Sequence, residues 1–139
     1  MRSILLVEAD SITCDAWSAA VIASGHSVIT ASGMREAWGV VRDGGIDAVV
    51  IAAYEPHAGV AELAQHMNAL PDAPPIILVS ASPAAPILSV RIHAAAFVPK
   101  PCDPEEVVMA IERLLWRVRP LMVDMGGEDE PTIEMRQLA

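Results

Sequence analysis

Charged and hydroxyl side chains follow three of the four most apolar runs in the chain. Glu8 and Asp10 come directly after the first run, Ser80 ends the third, and Lys100, the only lysine, follows the last. Carboxylates are the usual ligands of magnesium, and a lysine beside them forms an ion pair that relieves their mutual repulsion. These four residues predict a polar pocket if the fold brings the ends of the runs together.

The elements that position these residues are predicted to be alternating strands and helices. Continuous apolar runs are typical of parallel strands buried on both faces, and a more polar run at residues 27–30 is typical of an edge strand. Alternating strands and helices indicate an α/β fold, in which helices cover both faces of a parallel sheet. The four buried strands are predicted at residues 4–7, 48–51, 76–79 and 96–98.

Capping residues and helix breakers mark the five predicted helices. The last helix has the clearest start, because Asp103 is a capping residue, Pro104 suits the first helical position and Glu106 completes a capping box. A cap at Ser32 is predicted for the second helix. The first four helices are predicted at about 11–24, 32–44, 59–70 and 82–94. The apolar stripe of the fifth consists of Val107, Ile111, Leu114 and Val118.

The order and spacing of these features resemble the receiver domain of two-component response regulators, from about residue 3 to residue 117. The resemblance implies a flavodoxin-like (βα)5 α/β domain over residues 1–119, with a five-stranded parallel sheet in the order 2-1-3-4-5. Residues 120–139 are then an acidic, flexible C-terminal tail. The segments that carry the resemblance are residues 4–8, 76–80, 97–101 and 103–106, together with Pro56.

The centre of the family's pocket is missing from this sequence. Ala52 stands at the position of the phosphoacceptor aspartate, and Ala9 stands at the position of a direct magnesium ligand. Alanine has no carboxylate, so it can neither attack a phosphoryl donor nor coordinate the metal. We therefore expect a pseudo-receiver that is not an enzyme, has no metal site or cofactor, and binds magnesium weakly or not at all.

The other pocket residues are expected to have structural roles. Lys100, which contacts the phosphoryl group in the family, is expected to pair with Glu8 or Asp10. Ser80 is expected to form a hydrogen bond within its local turn. The resemblance also implies a cis peptide bond before Pro101.

A domain of this kind acts through other proteins. The resemblance implies a protein partner, such as a histidine kinase or another signalling protein, or a homodimer. Receivers commonly use the surface of their fourth helix, fifth strand and fifth helix for such contacts. Phe97 and Trp116 are the candidate contact residues on that surface in this chain.

Composition argues against several other classes of protein. The formal net charge is −9 and the sequence pI is about 4.7, whereas a nucleic-acid binder needs a cationic surface. The sequence has no apolar run of the length that spans a membrane. Cys14 and Cys102 lack metal-ligand spacing and are expected to be inert, reduced thiols. We therefore expect a cytoplasmic protein.

Two alternative functions stay open at this point. One is phosphotransfer to a surrogate acceptor, for which Asp10, Asp47 and Tyr54 are the candidates; it predicts covalent phosphate and magnesium binding. The other is a small flavodoxin-like enzyme or cofactor-binding protein, whose flavin would be visible in the absorbance of the purified protein. The chain has no glycine-rich loop of the kind that close approach to phosphate requires.

Overall fold

The apolar runs form one parallel sheet in a computed structural model that describes residues 2–123, with side chains described as far as Trp116. Every residue of the third and fourth strands is buried, whereas only one residue of the second strand is buried, as its more polar sequence predicts. The strands are β1 (Ser3–Val7), β2 (Ser27–Ala31), β3 (Ala48–Ala52), β4 (Ile76–Ser80) and β5 (Ala96–Pro99).

The strand order is β2-β1-β3-β4-β5, and all four pairings are parallel, which confirms the predicted flavodoxin-like topology. Helices cover both faces of the sheet. They are α1 (Ser11–Ala23), α2 (Met34–Arg42), α3 (Val60–Asn68), α4 (Ala85–Arg91) and α5 (Pro104–Val123).

The core consists of two apolar layers, one on each face of the sheet. Helices α2, α3 and α4 pack on one face, and α1 and α5 pack on the other. Trp17 of α1 and Ile111 of α5 are both at least 98% buried in the second layer, and burial of a side chain of this size contributes about 1.5–3 kcal/mol. Because all strand pairings are parallel, the carboxyl ends of the strands lie at one edge of the sheet.

The predicted starts of α1 and α5 are confirmed by hydrogen bonds between side-chain carboxylates and backbone amides. Asp10 accepts a hydrogen bond from the Thr13 amide at the start of α1, and the Asp103 amide donates to Glu106 in the predicted capping box of α5. The predicted Ser32 cap of α2 is wrong, because Gly33 holds that position and the Ser32 amide and hydroxyl both donate to Glu36.

Two further boundaries differ from the prediction. Helix α4 is shorter than predicted, because residues 82–84 form a turn before it and His93, with a φ of 57°, ends the helical path. Helix α5 continues to Val123, past the predicted domain boundary at residue 119. The predicted tail therefore lies largely outside the described residues, as does the side chain of Val118. Within residues 2–123, no helix combines the length and apolar character needed to cross a membrane.

Candidate functional site

The carboxyl ends of β1, β3, β4 and β5 bring the predicted pocket residues to one edge of the sheet. Glu8 directly follows β1, Ala52 ends β3, Ser80 ends β4, and Lys100 directly follows β5. The strands lie in register, so that Val7 pairs with the residue before Ala52 and Ser80 pairs with the residue before Lys100. Glu8 and Ser80 are polar but are only 3% and 1% exposed, respectively.

A three-residue cluster forms the centre of this edge. The Lys100 ammonium donates to Glu8 Oε1 at 3.2 Å and to the Tyr54 hydroxyl oxygen at 2.7 Å. The Tyr54 hydroxyl in turn donates to Glu8 Oε2 at 2.6 Å, and the Asp10 amide donates to the same oxygen at 3.0 Å. Both oxygens of the buried carboxylate are therefore occupied by donors from within the chain.

Two aromatic rings lie near the ammonium of this cluster. The Lys100 nitrogen lies 4.3 Å from the ring centroid of Tyr54 and 5.5 Å from that of Trp17. A cation over an aromatic face is attracted by the ring quadrupole. The predicted ion pair is thus formed with Glu8, and Tyr54 is a third member that the sequence interpretation considered only as a surrogate acceptor. The sequence feature that could have indicated this role is the position of Tyr54, two residues beyond the end of β3.

The cluster raises the pKa of both titratable donors. Burial lowers the pKa of the Lys100 ammonium, but the hydrogen bonds to Tyr54 and Glu8 outweigh burial and leave it above its usual value of 10.5. Burial raises the pKa of the Tyr54 phenol above its usual value of 10.0, and its hydrogen bond to Glu8 acts in the same direction. At neutral pH the ammonium is charged and the phenol is protonated.

Stability is expected to fall above about pH 10 because of this cluster. The contribution of Lys100 to the free energy of unfolding is complete at pH values below its unfolded-state pKa. That contribution is lost as the pH rises through the raised folded-state pKa. Tyr54 acts in the same direction, since the unfolded state releases the phenolic proton first. Free energies of unfolding measured from about pH 9 to pH 11 should fall more steeply for the wild type than for Tyr54→Phe.

This chain suits the pH comparison, because it contains one tyrosine and one lysine. Tyrosinate absorbance therefore reports on Tyr54 alone and gives its titration in the folded protein. If the wild type and Tyr54→Phe lost equal stability over the same pH range, the loss could not be attributed to the Tyr54 phenol.

The side chain of Asp10 caps the N-terminus of α1 and is not a member of the cluster. Its carboxylate accepts hydrogen bonds from the Thr13 hydroxyl at 2.6 Å and from the Thr13 amide at 2.9 Å, and these bonds lower the pKa of Asp10. Within the described residues, its side chain forms no hydrogen bond to Lys100, whose ammonium donates to Glu8 and Tyr54. Asp10 is therefore a helix cap whose negative charge also suits the helix N-terminus.

The residues at this edge do not fit a magnesium ion. Ala9 and Ala52 contribute no side-chain oxygen, and Ala52 is only 4% exposed. Both Glu8 oxygens accept hydrogen bonds from the chain, and the Asp10 carboxylate is engaged by Thr13. Magnesium requires several oxygen ligands in near-octahedral geometry. The donor set therefore matches an internal ion pair better than a metal site.

Ser80 forms the local hydrogen bond that its position predicts. Its hydroxyl oxygen accepts from the Ser82 amide at 3.1 Å. The Ser82 hydroxyl donates to the carboxylate of Glu55 and also accepts from the Ala84 amide. The loop after β4 is thereby joined to the loop after β3, a contact that the sequence interpretation did not foresee because it depends on two loop conformations.

The remaining candidate residues lie away from the cluster. Asp47 precedes β3, at the opposite end of that strand from Ala52, and accepts a hydrogen bond from the Ser3 amide at 2.8 Å. Burial raises the pKa of both thiols, which agrees with the inert cysteines expected: Cys14 in α1, and Cys102, for which nearby Glu106 adds to the effect. Neither thiol is disulfide-bonded.

Both predicted contact residues are near the surface formed by β5 and α5. Phe97 is half-buried against the layer that contains α4, and Trp116 is 62% exposed on α5. Ile87 and Val90 of α4 are also exposed, by 66% and 74%. The peptide bond between Lys100 and Pro101 is cis, as the resemblance implies.

Several solved structures that are similar to this chain are named as receiver domains. The response regulator receiver domain protein (CheY-like) from Methanospirillum hungatei JF-1 is 20% identical, with a TM-score of 0.75 over 84% of this chain and 95% of that chain. The signal receiver domain of a signal transduction histidine kinase from Syntrophus aciditrophicus is 21% identical, with a TM-score of 0.76 over 100% of this chain and 99% of that chain.

A third similar structure is the non-phosphorylated HemR receiver domain from Leptospira biflexa. It is 24% identical, with a TM-score of 0.70 over 81% of this chain and 93% of that chain. No model of a protein family matches the sequence, and no curated protein matches it. The chain thus has the fold of CheY-like receiver domains.

Proposed function

We propose that this chain is a pseudo-receiver: a signalling module that acts through protein–protein contacts without aspartate phosphorylation. It has no catalytic residue, resident metal or cofactor in this proposal. Its partner is a protein, such as a histidine kinase or another component of a signalling pathway, or a second copy of the chain. The module is placed in the cytoplasm as part of the same proposal.

One observation carries this proposal. The cation that would contact a phosphoryl group is Lys100, and its ammonium is held by Glu8 and Tyr54 while Ala52 offers no acceptor oxygen. A buried carboxylate paired with an ammonium is costly to separate, because either charge is then left without a partner. This pairing supports a module that works without phosphorylation, because the Lys100 ammonium already has partners within the chain.

In this proposal the protein transmits its signal by contacting a partner protein. Exposed aliphatic side chains on α4 and the exposed Trp116 on α5 lie on elements at the end of the sheet that carries β5. Aromatic and aliphatic anchors of this type contribute most of the binding free energy in many protein interfaces. The net charge of −9 supports a protein partner over a nucleic acid, because it repels phosphate groups.

Intact mass after incubation with magnesium and acetyl phosphate tests this proposal. We expect no covalent phosphate on this protein under conditions in which an active receiver domain gains one phosphoryl group. A phosphoryl group on the wild-type chain would contradict the proposal, and peptide mapping would then identify the modified residue. The control receiver establishes that the donor and the metal are competent.

A second candidate function is phosphotransfer to Tyr54, and the cluster geometry is the observation that favours it over Asp10 and Asp47. Glu8 is placed to accept the phenolic proton, and Lys100 is placed to stabilise the oxygen. The raised pKa of Tyr54 opposes this role, because it keeps the phenol protonated and weakly nucleophilic. Phosphate that appears on the wild type and is absent from Tyr54→Phe would favour this alternative.

A further inference from the structure

A recess of about 190 Å³ opens between the carboxyl ends of β1 and β3, beside the Lys100 cluster. We call it the β1–β3 recess. The loops after β1, β2 and β3 and the first residue of α3 form its wall. The strand order reverses between β1 and β3, and open α/β sheets bind their ligands at such a point. Its lining includes Val7, Ala9, Met34, Ala52, Tyr54 and His57.

Small and apolar side chains give this recess its space and its chemistry. Ala9 and Ala52 both line it, and each side chain ends at its Cβ, so the space that a longer side chain would fill stays open. Val7, Met34 and Val60 contribute further apolar surface to the wall. Such a wall suits the apolar body of a small molecule better than a hydrated ion, which would lose its water without compensation.

One polar atom of the wall has no partner. The Nε2 atom of His57 is shielded from solvent and forms no hydrogen bond within the described residues, which is unfavourable for a buried polar atom. A tight turn holds the residue, because its amide donates to the Tyr54 carbonyl and its carbonyl accepts from the Val60 amide at 3.3 Å. A ligand hydroxyl would supply the missing partner for either imidazole tautomer, since it both donates and accepts.

The charges around the recess favour a neutral ligand. Glu55 lines it, Glu8 lies between two lining residues in the sequence, and Glu36 accepts the hydroxyl proton of Ser32 in the wall. The described residues of the wall include no lysine or arginine, so an anion would enter without a counter-ion. A cation would gain little, because the carboxylates of Glu8 and Glu55 already accept hydrogen bonds from the chain.

We infer that the β1–β3 recess binds a neutral, phenol-like molecule, which has one aromatic ring and a hydroxyl group. A cavity of about 150 Å³ holds benzene, so the recess has room for a ring and a substituent. The ring packs against the apolar wall and Met34, whose thioether contacts aromatic rings favourably, and the hydroxyl binds His57 Nε2. The molecule is an exchangeable ligand and not a resident cofactor. The inference goes beyond the proposed function and does not require it, because it rests on the shape and chemistry of the recess.

Fluorine NMR of 4-fluorophenol mixed with the full chain tests this inference. A saturable change in the fluorine shift is expected, with a dissociation constant of about 1 mM or tighter for a ligand of this size. The Met34 methyl signal, assigned with Met34→Leu, should move with the same dissociation constant, because Met34 lines the recess. The charged analogues 4-fluorobenzoate and 4-fluorobenzylammonium should bind at least about tenfold more weakly.

Two substitutions of His57 test the hydrogen bond. His57→Asn keeps the side-chain atoms as far as the position of Nδ1 and removes Nε2, and asparagine tolerates the φ of 66° at this residue. It should weaken the binding of 4-fluorophenol at least about fivefold and leave the binding of fluorobenzene, which has no hydroxyl, unchanged. The matched control His57→Gln places an amide near the position of Nε2 and should bind 4-fluorophenol as the wild type does.

Three results would overturn the inference. The first is the absence of a saturable fluorine shift, or a shift that leaves the Met34 methyl signal unmoved. The second is equal weakening of 4-fluorophenol and fluorobenzene by His57→Asn in a protein that circular dichroism shows to be folded. The third is tighter binding of either charged analogue than of 4-fluorophenol. Covalent phosphate uptake is measured separately, so the inference and the proposed function can fail independently.

Discussion

The substitution Lys100→Met is expected to lower the free energy of unfolding by about 3 kcal/mol at neutral pH. The side chain of Glu8 is fully buried, and Lys100 is its cationic partner at 3.2 Å. Removing one partner of a buried pair usually costs about 3–5 kcal/mol, because the other charge stays buried without compensation. The lower end is expected here, since the Tyr54 hydroxyl and the Asp10 amide still donate to Glu8.

Urea denaturation followed by circular dichroism measures this effect. Arg42→Met is the matched control, because the exposed pair of Arg42 with Asp43 contributes no more than about 1 kcal/mol. The double variant Glu8→Gln/Lys100→Met removes both charges and should be more stable than Lys100→Met alone. If Lys100→Met and Arg42→Met destabilised the protein equally, the buried ion pair would have no special role in stability.

The double substitution Ala9→Asp/Ala52→Asp is expected to give a protein that gains a phosphoryl group from acetyl phosphate, whereas the proposed function predicts no such gain for the wild type. The two new carboxylates return oxygen ligands for magnesium and a nucleophile to the edge where Lys100 already lies. Magnesium binding, measured by calorimetry, should appear together with the phosphoryl group. Tyr54 must leave its bonds to Glu8 and Lys100 to make room.

A shape-matched control separates chemistry from packing in this experiment. Ala9→Asn/Ala52→Asn has side chains of nearly the same size but no carboxylate, so it should acquire neither the metal nor the phosphoryl group. Failure of the aspartate variant to gain phosphate would show that more than two side chains separate this pocket from an active one. Adding Tyr54→Phe to the aspartate pair would then test whether the phenol is the obstacle.

Much of the fold could be predicted because local and long-range signals agree in this chain. The run at residues 48–51 is apolar throughout, so it forms a strand that is buried on both faces. Asp103 and Glu106 exchange short-range hydrogen bonds at the start of α5, where Pro104 has no amide proton to satisfy, and this start does not depend on the rest of the fold. Lys100 could be placed beside Glu8 because parallel strands end at one edge.

The role of Tyr54 could not be predicted in the same way. It lies in a loop, where the direction of a side chain depends on backbone angles that no repeating pattern specifies. The predicted start of α4 was wrong for a related reason. Ser82 donates a hydrogen bond to Glu55, and the two residues lie in loops that are far apart in the sequence. At the start of α2, Ser32 had a suitable side chain, but the Glu36 carboxylate accepts its amide and hydroxyl protons instead.

The position of Trp17 has a consequence for spectroscopy. Its indole is 2% exposed, and the Lys100 ammonium lies 5.5 Å from the ring centroid. The emission of a buried indole responds to a charge at this distance, because the excited state has a different dipole moment from the ground state. Tryptophan fluorescence of the unlabelled protein therefore contains a component that changes when the ammonium moves or loses its proton, and substitutions at Trp38 and Trp116 would isolate that component.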